Sequence, residues 1–262
     1  MSGARIERKW RAQLRSSAPC CRWPHCDLGA VPRSTSSRIC EIGGDFYDYF
    51  FLDDHRLVIA IGDVSGKGIP AALYMAAVLT ALRVALRQRR TLRGAMEAAN
   101  DLLVANNDEA MFATVFCAVL DVRDGAGVAC NCGHPAPFVL RRGGGRDRIA
   151  SSSLPLGLQL SAPIKTESMV MRNGDMIFLW TDGLSDALNA AGERYGEQRL
   201  EQFVSGVATE NARDCVLAVT GAVTEFGADA SQFDDLTALA FVYHSNSLSR
   251  VRDAEADEAV KA

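Results

Sequence analysis

Hydrophobic positions along this chain follow two rhythms. Short apolar runs bounded by glycine, asparagine and aspartate predict strands, and longer runs rich in helix formers predict helices. Strands are expected at 46–52 and 56–61, separated by Asp53-Asp54-His55, a gap of hairpin length. Helices are expected at 71–87 and 95–105, the first opening behind Pro70, which is tolerated in a first turn. In that helix Leu73, Ala76, Ala77, Thr80 and Val84 make a nearly unbroken apolar stripe, expected to lie against a sheet. Strands follow at 113–121, 127–132 and 137–141, then a glycine- and serine-rich stretch at 142–153 that predicts a flexible loop. Strands at 168–172 and 176–181 flank the turn Asn173-Gly174-Asp175. Helices at 197–206 and 212–226 and a last strand at 237–244 complete the pattern.

Strands and helices come in blocks rather than in strict alternation, which favours an α+β domain over a doubly wound sheet. The organisation expected is a basic leader or linker at 1–39, one domain at 40–244 and a polar, frayed tail at 245–262. In the leader, Ile6, Trp10 and Leu14 share one helix face. That fits either a short helix packed on the domain or the end of a linker.

Composition narrows the classes. A 262-residue chain with 48% hydrophobic and 23% charged residues can bury a sizeable core. The formal charge of −4 argues against an obligate nucleic-acid binder. It is unevenly spread, with +6 in residues 1–40 and −10 in the remainder, a balance that suits cation binding. The first 30 residues hold no secretory apolar region, and the apolar run 71–82 is too short to span a bilayer, so the expectation is a cytoplasmic protein without a membrane span. Cys117, Cys130, Cys132 and Cys215 fall in apolar surroundings and read as core thiols. Cys20, Cys21, His25 and Cys26 cluster, but a zinc site wants a second Cys-x-x-Cys and Cys40 is the one nearby candidate, so a linker or packing segment is expected rather than structural zinc.

The chemistry lies in four acidic motifs, GGDFYD (43–48), IGDVSGKG (61–68), WTDGLSD (180–186) and FDDLT (233–237). In each, an aspartate stands at or just beyond an apolar run, most often beside glycine, where a carboxylate can leave a sheet and enter a shared cleft. Four such carboxylates make an oxygen-rich cage for hard divalent cations, and buried like charges require one. Any one of them alone would read as a turn-capping residue. The stretch from Gly62 to Gly68 is not a nucleotide loop. It has three residues, not four, before its Gly-Lys pair, and Gly68 replaces the hydroxyl residue that binds Mg²⁺.

In this order, and with NCGHPAPFVL (131–140) and LPLGL (154–158), the motifs resemble the SpoIIE-like branch of the metal-dependent type-2C (PPM) serine/threonine protein phosphatases. The resemblance implies two stacked antiparallel β-sheets flanked by helices, with two Mn²⁺ or Mg²⁺ ions at one end. It implies Asp45, Asp63, the backbone carbonyl of Val64, Asp182 and Asp234 as metal ligands, with Asp235, Gly183 and His134 as further candidates. Asp48, Asp186 and Asp235 neighbour these positions and could exchange roles with them. Asp45, Asp63 and Asp182 would act through a metal-activated water that attacks the phosphoserine phosphorus directly. Where larger relatives carry Asp-Gly-His, this chain reads Asp63-Val64-Ser65, so leaving-group protonation rests between His134 and a bound water. The implied partner is a phosphorylated regulatory protein of the STAS anti-anti-sigma type. A homodimer and a catalytically silent scaffold both stay open.

Overall fold

The computed structural model describes residues 26–33, 43–107, 109–207, 211–228 and 235–244, with 26–33 described by backbone alone. In chain order the elements are β1 (Cys26–Arg33), β2 (Phe46–Phe51), β3 (Arg56–Val64), α1 (Gly68–Gln88), α2 (Leu92–Ala105), β4 (Ala113–Asp121) and β5 (Ala126–Cys132). They continue with β6 (Phe138–Leu140), β7 (Arg146–Arg148), β8 (Glu167–Val170), β9 (Met176–Trp180), α3 (Gly183–Asp186), α4 (Glu197–Val207), α5 (Ala212–Phe226) and β10 (Leu236–Tyr243). One sheet has the order β2-β3-β4-β5-β8 and the other β1-β10-β9-β6-β7, and every pairing is antiparallel.

Strand alternation builds the layers. On β3, Leu57, Ile59 and Ile61 face the other sheet and meet Leu179, Leu239 and Phe241 in the sandwich interior. The alternate residues Val58 and Ala60 face α1 and α2, in a core shared with Val78, Leu82 and Met96. On β10, Ala238, Ala240 and Val242 turn to α4 and α5 and pack with Leu200, Val216 and Val219. Strands covered on both faces need no polar side, so β9 and β10 are buried along their whole length. The result is the expected α+β architecture, a four-layer helix–sheet–sheet–helix sandwich.

Several expectations change. Residues 26–33, read as part of a leader, form β1 and pair with β10 in a register running from Cys26↔Tyr243 to Arg33↔Leu236. The stretch 142–153 is not wholly loop, because β7 pairs with β6 there. The turn Asn173-Gly174-Asp175 stands between β8 and β9 as expected, and the two strands belong to different sheets.

The largest correction concerns α1. It begins at Gly68 and runs 21 residues, long and apolar enough by composition to cross a membrane, where the run 71–82 alone is too short. Its buried stripe is Ala71, Val78, Ala81, Leu82, Ala85 and Leu86. The stripe expected to be buried faces outward, with Leu73 68% and Val84 45% exposed. Both faces are apolar, so periodicity could not choose between them. The small Ala71, Ala81 and Ala85 let the helix approach the sheet.

The core thiols Cys117, Cys130, Cys132 and Cys215 are buried and unbridged. Cys20, Cys21, His25 and Cys40 lie outside the described residues, as does the Ile6–Trp10–Leu14 face.

Candidate functional site

Strand register brings the acidic motifs together. Phe46 pairs with Gly62, so Asp45, one residue before β2, comes level with Asp63 near the end of β3. In the other sheet Ala238 pairs with Trp180, and continuing that register sets Asp235 beside Gly183. Two strand ends from each sheet therefore open at the same end of the sandwich.

The glycines permit the approach. A Cβ on Gly43 would fall 1.4 Å from Asp235 Oδ2, and one on Gly183 would fall 1.8 Å from the Asp235 carbonyl oxygen. A Cβ on Gly44 would meet the Val64 carbonyl oxygen at 2.7 Å and Asp63 Oδ1 at 3.2 Å. Asp235, the second aspartate of FDDLT, thus has its carboxylate pressed against the first motif. Asp234 lies outside the described residues. Among the described residues, no three carboxylates, thiols or imidazoles close to a shared ligand distance.

Asp45 carries the electrostatic signature of the site. Burial, opposed by a Thr181 hydroxyl hydrogen bond and reinforced by the negative charges of Asp63 and Asp235, pushes its carboxyl up to about 8. A carboxylate held there near neutral pH needs a compensating positive charge. Thr181 Oγ1 donates to Asp45 Oδ2 at 2.7 Å and accepts from the Thr237 backbone N–H at 3.2 Å. This hydroxyl links the two sheets.

Asp63 and Asp182 line one cleft of about 520 Å³, together with Thr114, His134, Trp180, Asp186 and Arg194. Asp182 precedes the short helix α3, and its carbonyl accepts from Asp186 N at 2.8 Å and Ser185 Oγ at 3.0 Å. Arg194 is the one cation among the lining residues and pairs with Asp186 at 3.0 Å.

His134 lies beneath the cleft, 3% exposed. Its Nδ1 is 3.0 Å from Thr114 Oγ1, which in turn points at the Asp63 carbonyl at 3.4 Å. Asn131 fixes the turn by accepting from His134 N at 2.9 Å. The Trp180 carbonyl acts on the ring from the other sheet, although Nε2 completes no full hydrogen bond. Burial pulls the imidazole down to about 3, so it is neutral at physiological pH and has no imidazolium proton to give.

Two of the three neighbouring aspartates have arginine partners. Asp48 points to the helix layer and grips Arg83 through two hydrogen bonds of 2.5 and 2.6 Å. Asp186 holds Arg194. Thr181 and Thr237 stand inside the WTDGLSD and FDDLT motifs, but the pairing of β9 with β10 is what reveals their hydroxyl and backbone links. Arg194 had no sequence signal beyond its distance of twelve residues from Asp182.

Comparison with known proteins gives the family and the fold. Residues 53–244 match the family described as Stage II sporulation protein E (SpoIIE). The chain is 31% identical over 230 residues to Protein IcfG of Synechocystis, covering 76% of this chain and 36% of IcfG. It is 28% identical over 196 residues to the phosphoserine phosphatase RsbU of Bacillus subtilis, covering 72% of this chain and 56% of RsbU. It therefore spans well under two thirds of either relative. Among solved structures, the RsbU and RsbW domains of Rv1364c from Mycobacterium tuberculosis superpose with a TM-score of 0.69 at 26% identity, covering 84% of this chain and 60% of that one.

Proposed function

From a chain that belongs to the SpoIIE family, we propose a metal-dependent protein phosphatase that hydrolyses phosphoserine or phosphothreonine on a regulatory protein of the STAS type. The observation that carries this reading is the meeting of Asp45 and Asp63 from one sheet with Asp182 and Asp235 from the other. The donor set fits two hard divalent cations, Mn²⁺ or Mg²⁺, since it offers carboxylate oxygens and a half-buried Asp45 whose raised pKa favours ionisation at neutral pH beside positive charge. Asp45, Asp63, the Val64 carbonyl, Asp182 and the Asp234-Asp235 pair would hold them. The ions would supply Lewis acidity and a water of lowered pKa for in-line attack at phosphorus.

The remaining roles fall to this chain's own groups. Thr181 fixes the orientation of the Asp45 carboxylate through its 2.7 Å hydrogen bond. Neutral His134 positions Thr114 and, through it, the Asp63 backbone, and does not serve as the general acid. Arg194 draws in the phosphate dianion. Its pair with Asp186 is solvent-exposed and worth under about 1 kcal/mol, so the guanidinium can exchange a carboxylate for a phosphate at small cost.

The test is phosphate release from phosphorylated STAS-type proteins and from an aryl phosphate, with and without Mn²⁺. Metal-dependent release from both is expected. Arg194→Ala should raise KM for both substrates about tenfold while kcat changes less. If no metal restores hydrolysis of either substrate, the phosphatase reading fails.

A further inference from the structure

At the end of the sandwich away from the carboxylates lies a second cavity of about 670 Å³, and its rim is basic. Arg56 contributes from the start of β3, Arg89 and Arg90 from the short link between α1 and α2, and Arg93 from the first turn of α2. Arg56 and Asp63 stand at opposite ends of β3, roughly 20–25 Å apart at the rise of a strand. This is therefore not part of the catalytic cleft.

The arginines differ from their neighbours in one respect. Arg83 is bound to Asp48, Arg87 stacks over Phe50, and Arg56 is held by Asp53. Among the described residues, the side chains of Arg89, Arg90 and Arg93 make no ion pair, hydrogen bond or ring contact, although the chain has 32 acidic residues. Asp121, the carboxylate on the cavity wall, is already occupied by Arg123. Concentrated, unpaired positive charge in an otherwise acidic domain is the electrostatic footprint of an anion site. Beneath the rim the floor is apolar, formed by Leu52, Leu86, Leu92, Val119 and Val128, the last 37% exposed.

We infer that this cavity binds an organic phosphate: a head with more than one negative charge on the arginines, and a planar or apolar body on the floor. Guanidinium forks match phosphate oxygens in pairs, which favours phosphate over a lone carboxylate. The volume suits a nucleotide-sized molecule, within the range of ordinary small-molecule pockets. The same head chemistry occurs on an anionic phospholipid, so the source must be distinguished by experiment. The inference does not depend on the phosphatase reading.

The test titrates the full chain with adenosine β,γ-imidotriphosphate by calorimetry, and in parallel sediments it with vesicles containing phosphatidylglycerol. Saturable nucleotide binding is expected. It should weaken by about tenfold or more in Arg89→Gln/Arg93→Gln and less in Arg89→Lys/Arg93→Lys, which keeps charge but loses the fork. The same binding should persist in Asp63→Asn, which separates this cavity from the carboxylate cleft. Vesicle binding that is lost in Arg89→Gln/Arg93→Gln, without nucleotide binding, would assign the phosphate to a lipid head. Absence of both, or binding indifferent to the arginine substitutions, overturns the site. These arginines are exposed, so a circular dichroism spectrum and melting point like those of the parent chain are expected of each variant.

Discussion

The two ends of the sandwich gather like charge in opposite ways. At one end Asp45, Asp63 and Asp235 crowd at strand termini, and half-buried Asp45 has its ionisation pushed up to about 8 by desolvation and by its acidic neighbours. At the other, Arg89, Arg90 and Arg93 crowd on a link and a helix start but remain in water. The acidic end is bound into the structure: a threonine hydroxyl holds one carboxylate, and Gly43 and Gly183 leave no room for a side chain beside another. At the basic end, Arg89, Arg90 and Arg93 have no such attachments among the described residues. Buried repulsion of the first kind is relieved by a cation and transmitted to the fold, whereas exposed repulsion of the second kind is relieved by any salt.

The largest effect should follow from removing a charge at the acidic end. Asp63→Asn keeps the shape and removes one carboxylate, so phosphate release with Mn²⁺ should fall by about 10²–10³-fold or more. The thermal midpoint should hold or rise, because a like charge leaves the neighbourhood of Asp45. Undiminished turnover in Asp63→Asn would remove the reason for treating this end as catalytic. Next in size is Gly183→Ala. Its new Cβ would meet the Asp235 carbonyl oxygen at 1.8 Å, a backbone atom that cannot swing away. Overpacking there should cost about 1–3 kcal/mol in denaturant unfolding and lower activity by more than the stability loss explains. A variant with parent-like stability and rate would mean that Asp235 does not sit where strand register puts it.

How much of this was visible in the sequence differs between the parts. The aspartates were legible because a glycine-flanked acid at the end of an apolar run has few ordinary explanations when repeated four times in order. Their meeting was not legible. It rests on the pairings Phe46↔Gly62 and Ala238↔Trp180, and register is fixed by packing across the whole sheet. For the same reason the motifs alone give Thr181 and Thr237 no role. Strand β1 was hidden by its own composition, since Gly29 and Pro32 signal a turn, and an edge position tolerates both. On α1 the sequence offered two apolar stripes. Val78 is fully buried and Leu73 is not, a choice made by the sheet beneath rather than by the helix. The arginines of the second cavity carry no motif, and it is the fold that places Arg56 and an apolar floor beside them.

A smaller effect, but one that separates the ends, is the dependence of stability on pH. Asp45 ionises near 3.8 as an ordinary carboxyl and near 8 in the fold, so between those values the folded state holds the proton that the unfolded chain releases. The folded chain is then the greater proton binder, and the linkage slope is negative: stability is fullest below the unfolded pKa and is lost as pH rises toward the folded one. In chelator, the melting temperature should therefore decline from pH 5 to pH 8 more steeply than in Asp45→Asn. Saturating Mn²⁺ should remove most of the decline. A chain whose stability climbs across that window in chelator would contradict the raised pKa of Asp45.

The smallest effect belongs to the basic end and depends on salt alone. Arg90→Glu replaces one of three exposed, unpaired guanidiniums with a carboxylate that Arg89 and Arg93 can approach. Exposed charge pairs contribute only a few tenths of a kcal/mol, up to about 1 kcal/mol, so the thermal midpoint should rise slightly at low ionic strength. The screening length shrinks from about 10 Å at 0.1 M salt to about 3 Å at 1 M, and the gain should vanish over that interval. The stabilisation expected of Asp45→Asn in chelator should largely survive the same salt, because a half-buried carboxylate bonded to Thr181 is screened far less than charges in water. Paired melting curves of the two variants across a salt series would therefore measure the difference between the ends directly. A salt-resistant gain in Arg90→Glu would place its guanidinium in the cavity rather than in water.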